Sequence, residues 1–135
     1  MAIDGLVENA HFRMRKQAVD SLLHDNASSE VKDYYEKDIN SLFGKALDKA
    51  LDLARYKKRK PDHYVYIDLP KHLIAANLIS SDGTIAIAYN KMYAGKLRNN
   101  RRLRLYVNLH QHTHIRGESD EGTVDNWVMK AMSLE

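Results

Sequence analysis

The stretch RRLRLYVNLHQHTHIRGE, Arg101 to Glu118, concentrates the side chains best suited to chemistry. His110, His112 and His114 stand at every second position, and Arg102, Arg104, Tyr106, Asn108 and Arg116 continue the same spacing. Side chains alternate faces along a strand, so a strand here puts all eight residues on one face. Leu103, Leu105, Val107, Leu109 and Ile115 then share the other. The three imidazoles stand about 6.5–7 Å apart along such a strand. Four readings compete: a metal site, a catalytic site, a surface that grips an anion, and the wet side of a half-buried sheet.

Two histidines flanking one residue on a strand reach a single ion, and imidazole suits zinc, iron, copper and nickel. The run His112, Thr113, His114, Ile115, Arg116, Gly117, Glu118 resembles the first metal motif of cupins, histidine-x-histidine-x(3)-glutamate. The resemblance ends there. Tyr106 stands where that motif has a glycine, too few residues follow Glu118 for a second motif, and long N-terminal helices are foreign to a jelly-roll barrel. The neighbouring arginines also raise the cost of placing a cation. No metal site and no cofactor is therefore assigned. For catalysis, His110 or His112 with Arg102, Arg104 or Arg116 supplies the parts of an acid–base site on a phosphodiester, but parts alone define no pocket. No catalytic residue is assigned either.

Binding draws on more of the sequence. RYKKRK, residues 55–60, carries five positive charges in six positions, and KLRNNRRLR, residues 96–104, carries five in nine. Arginine, tyrosine, asparagine and histidine are the residues that contact phosphates and stack on bases. A sheet that brought both clusters together would make a basic, aromatic surface for nucleic acid, with little sequence choice and strong salt dependence. The residues of that surface are Arg55, Lys57, Lys58 and Arg59, joined by Arg98, Arg101, Arg102, Arg104, Tyr106, His110, His112, His114 and Arg116. Tyr64 and Tyr66 add aromatic rings from a second strand. The rival readings are an assembly or interaction protein and a histidine-dependent nuclease.

The elements that would position these residues follow from periodicity. A first helix runs from a cap at Asp4 to about His24, on the stripe Leu6, Ala10, Met14, Ala18, Leu22. A second, from about Ser29 to Arg59, carries Val31, Tyr35, Ile39, Leu42, Phe43, Leu47 and Leu51 in helical register and ends before Pro61. Unbroken, it would be roughly 45 Å long, which points to a bend or to packing against a second copy. DHYVYIDLP reads as a strand, PKHLIAANLI as a short helix, TIAIAYNKMY as a strand with Ile85, Ile87 and Tyr89 on one face, and RLRLYVNLHQHTHI as its hairpin partner. VDNWVMKAMSLE, capped by Thr123, reads as a last helix. The expected fold is one α+β domain: two N-terminal helices, the second long, packed on a small three-stranded, mainly antiparallel sheet, with a short C-terminal helix.

The 135 residues suffice for one domain with its own core. The absence of cysteine excludes disulfides, cysteine-ligated zinc, iron–sulfur clusters and thiol nucleophiles. No apolar run is long enough for a membrane span, and no signal peptide is evident, so a cytoplasmic protein without membrane contact is expected. A net charge of +3 is only mildly basic, and the clustering carries the argument rather than the total.

Overall fold

The computed structural model describes residues 11–14, 16–26 and 28–133. Its elements are β1 (His11–Met14), α1 (Lys16–Asn26), α2 (Ser29–Ile39), α3 (Leu42–Leu53), β2 (His63–Ile67), β3 (Ala75–Ser80), β4 (Ile85–Asn90), a 3-10 turn (Lys91–Tyr93), α4 (Ala94–Asn99), α5 (Arg101–Ile115) and α6 (Glu121–Met132). The class is α+β, as the sequence implies. Several elements differ from the sequence reading, each for a physical reason.

The N-terminal part holds three helices rather than two. The cap at Asp4 lies outside the described residues, and α1 begins at Lys16 after a strand. The long second helix is two helices. Asn40 caps the end of α2, and Ser41 starts α3, its hydroxyl accepting from Gly44 N–H at 3.3 Å. Gly44 makes the corner possible: a Cβ there would stand 2.2 Å from the Ile39 carbonyl oxygen and 2.5 Å from that of Asp38. The apolar stripe runs through the corner, which hid it. With the 45 Å helix gone, the argument for a second copy loses its basis.

The sheet has the order β1-β3-β4-β2. β3 and β4 pair antiparallel through a turn at Gly83, whose φ of 87° favours glycine, whereas β2–β4 and β1–β3 pair in parallel. The expected mainly antiparallel sheet is thus corrected to a mixed one. AANLIS, read as part of a helix, is β3: five of its six residues are buried, as in a strand covered on both faces. One face of the sheet meets α1: Val65, Leu78, Ala86 and Ala88 pack with Leu22 and Leu23. The other presents Ile85, Ile87 and Tyr89 to the helical layer that contains Val31, Tyr35, Leu47, Leu105, Leu109 and Val128. Tyr64 and Tyr66 pack against this second cluster and are only partly exposed.

The largest correction concerns RLRLYVNLHQHTHI, which is the helix α5 and not a strand. Asn100 caps it, accepting from Leu103 N–H at 3.0 Å. From Leu103 to Ile115 every residue is buried. The C-terminal helix α6 is present and starts slightly earlier than expected, with Asp120 capping Thr123 N–H at 2.9 Å.

Candidate functional site

Changing the strand to a helix rearranges the histidine row. Two residues along a helix turn the direction by about 200°, so alternate members of the row face opposite sides. Arg104, Asn108, His112 and Arg116 form one stripe of four-residue steps, and Tyr106, His110 and His114 form another. The first faces α2 and α3 and the second faces α6, as their partners show.

At the start of the first stripe, Arg104 is paired with buried Asp38, Nε to Oδ2 at 3.2 Å. Asn108 donates through Nδ2 to the same carboxylate at 2.7 Å, and its Oδ1 accepts from the Tyr89 hydroxyl at 2.5 Å. One turn on, Tyr35 Oη lies 2.6 Å from His112 Nδ1, and His112 Nε2 lies 2.5 Å from Asp48 Oδ1. Burial holds the Tyr35 phenol well above its ordinary range, so the hydroxyl keeps its proton beside Nδ1. The imidazole of His112 is thus held between Tyr35 and Asp48, one ring nitrogen on each. Burial alone would push the Asp48 carboxyl up, but hydrogen bonds and charge from His112 and Arg116 outweigh it and hold it below its ordinary value. Arg116 closes the stripe, with Nη1 3.1 Å from Asp48, Nη2 on Asp52, and Nε donating to the Lys57 carbonyl at 2.7 Å. Asp48 and Asp52 are themselves one helical turn apart, a matching acidic stripe that the sequence reading missed.

This network floors a cleft of 550 Å³, whose walls include Tyr35, Asp48, Tyr64, His112 and Arg116 and whose lip carries Lys58, Arg59 and Lys60. A second depression adjoins it and shares Glu36, Pro61 and Tyr64, so the two form one open groove. Burial raises the Tyr64 phenol to about 12, which keeps it neutral on the shared wall.

The second stripe meets a second acidic pair one turn apart, Glu121 and Asp125. His114 Nε2 lies 2.6 Å from Glu121 Oε1 and 3.2 Å from His110 Nε2, and His110 Nε2 lies 3.4 Å from Glu121 Oε1. On their far sides, His114 Nδ1 meets the Glu118 carbonyl at 2.6 Å and His110 Nδ1 stands 3.5 Å from Asp125 Oδ1. The Tyr106 hydroxyl donates to Asp125. Burial, reinforced by the neighbouring His110, lowers the His114 imidazole and favours its neutral form.

The thirteen residues singled out from sequence therefore split. Arg104, Tyr106, His110, His112, His114 and Arg116 are buried and committed to internal partners, so they form no open sheet face. Arg55, Lys57, Lys58, Arg59, Arg98, Arg101 and Arg102 are exposed. They do not make one patch. Lys57 N–H donates to the Arg116 carbonyl at the C-terminal end of α5, while Arg101 and Arg102 are its first residues. The two basic clusters are separated by a helix about 22 Å long. Arg98 is bound to Glu30 at 3.0 Å. Among the described residues, no ion pair holds the charged groups of Arg55, Lys57, Lys58, Arg59 or Lys60. No described helix is long and apolar enough to cross a membrane. Compared with protein-family models, with curated proteins and with solved structures, the chain matches none.

Proposed function

We propose that the protein binds a nucleic-acid strand along the groove beside the Arg55–Lys60 arm. Arg55, Lys57, Lys58, Arg59 and Lys60 contact phosphates, and Tyr64 offers an aromatic wall to a base. The observation that carries this reading is the placement of Lys58, Arg59 and Lys60 on the lip of the cleft floored by His112 and Arg116. Two observations support it. The arm is exposed and its cations are not neutralised by ion pairs among the described residues. Arg55 also has a φ of 66° and follows the C-cap of α3, a position that strongly favours glycine. A cation placed where its backbone is strained fits a role for its charge.

Binding has more support than catalysis. His112 is the imidazole at the cleft floor, and both its ring nitrogens are already engaged, one by Tyr35 and one by Asp48. It offers a ligand no free nitrogen, so the arrangement is that of a histidine locking three helices together. The test is a titration of labelled single- and double-stranded RNA and DNA at low and moderate salt. Retention that weakens steeply with salt, with no strand breakage, is the expected result. No retention at low salt contradicts the proposal, and cleavage lost in His112→Gln would replace it with the nuclease reading.

A further inference from the structure

We propose that His110, His114 and Glu121 form a binding site for one divalent transition-metal ion of the zinc class, on the side of α5 opposite the groove. Three ligand atoms converge there from two elements, and all lie within 4.8 Å of one another. Their separations are 2.6, 3.2 and 3.4 Å. Tetrahedral zinc with bonds of about 2.0–2.1 Å needs ligand atoms roughly 3.3 Å apart, so two of the three edges already match. The third, between His114 Nε2 and Glu121 Oε1, has to open by under about 1 Å when an ion enters.

Protons serve this triangle poorly. Three acceptor atoms face one point: the Glu118 carbonyl can only accept, so His114 gives it a proton from Nδ1 and turns the lone pair of Nε2 towards the Glu121 carboxylate and the His110 nitrogen. One cation at that point satisfies all three at once. The surroundings suit a metal as well. Ligating histidines usually point their other nitrogen at a carbonyl or carboxylate, which fixes the tautomer and the ring. His114 does so here, with Nδ1 on the Glu118 carbonyl, while His110 Nδ1 makes no hydrogen bond and stands 3.5 Å from the Asp125 carboxylate. The two histidine side chains are 0–1% exposed, while Glu121 is 43% exposed, so the carboxylate gives the ion a way in. Three protein ligands leave the fourth position to solvent. The ligands are nitrogen and carboxylate oxygen, which favour zinc, nickel or cobalt over calcium or magnesium. The Gly117 turn between the helices, with its φ of 118°, brings the start of α6 back over the end of α5. An ion there clips that turn shut.

The experiment uses the full chain, stripped with chelator and dialysed. ZnCl2 is titrated calorimetrically, and CoCl2 is added while the visible spectrum is recorded. One equivalent of each ion should bind, with the intense ligand-field absorption of a four- or five-coordinate cobalt centre. Glu121→Gln keeps the size of a half-exposed side chain and should fold; it should weaken zinc binding at least tenfold. Asp48→Asn, which alters the carboxylate beside the other buried histidine, should leave it unchanged. Absence of one-to-one binding of both ions, or affinity unchanged by Glu121→Gln, overturns the assignment. These outcomes are independent of the nucleic-acid titration.

Discussion

At the scale of the residue, most of the buried polar side chains of α5 are tolerable because carboxylates meet them, with Gln111 the exception. Arg104 and Asp38 are both almost fully buried, and Asn108 supplies the carboxylate with a further donor. Removing one partner of such a pair strands a charge in the interior. Asp38→Ala should cost about 3–5 kcal/mol in urea unfolding, and a loss under about 1 kcal/mol would contradict the pairing. Asp48 gives a pH signature. Its carboxyl is held below the ordinary 3.8, so the unfolded chain takes up its proton more readily than the folded one. The stability it contributes is present above that value and is lost as pH falls through the lower, folded value. Thermal midpoints of the wild type and Asp48→Asn should therefore differ at pH 7 and converge at acid pH. A constant gap between them would assign the effect to shape rather than charge.

At the scale of the element, the corner between α2 and α3 sets the groove, because it aims Tyr35 and Asp48 at the same histidine. Gly44→Ala forces a methyl against two α2 carbonyls, so it should lower the thermal midpoint markedly and loosen that corner. Gly122→Ala, where a Cβ meets nothing nearer than the Asp120 side chain at 3.5 Å, is the matched control and should change little. This corner also shows what the sequence could not display. A continuous apolar stripe reads the same through a bend as through a straight helix, and Asn40, Ser41 and Gly44 were the local marks of the break. The class and the β2 and β4 strands were legible because both are rich in β-branched and aromatic residues, with Ile85, Ile87 and Tyr89 at alternate positions of β4. α5 and β3 were not, since each is buried on nearly every side and so loses the period that its geometry would otherwise impose. In α5 the residues that mimic a strand's polar face are two helical stripes satisfied by partners far away in sequence. The clue lay in the four-residue steps from Arg104 to Arg116 and from Tyr106 to His114. It also lay in the matching carboxylate pairs Asp48–Asp52 and Glu121–Asp125. The cleft residues Tyr35 and Asp48 were missed because nothing local distinguishes them from ordinary helical positions.

At the scale of the whole molecule, a net charge of +3 conceals an uneven distribution. The Arg55–Lys60 arm stands at one end of α5 and Arg101 and Arg102 at the other, about 22 Å away. The arm borders the groove, whereas the other cluster lines neither of its depressions. The proposal therefore distinguishes two basic patches that the sequence alone would merge. Charge reversal at each separates them most directly. The measurement is the affinity for a labelled single strand across a series of salt concentrations, for the wild type, Lys58→Glu/Arg59→Glu and Arg101→Glu/Arg102→Glu. Each lost phosphate contact should reduce the slope of log affinity against log salt by about 0.7. The groove account predicts a large loss of affinity and a slope reduced by more than about 1 for the first variant, with a small, uniform loss for the second. Equal losses in both, or an undiminished slope in the first, would contradict it.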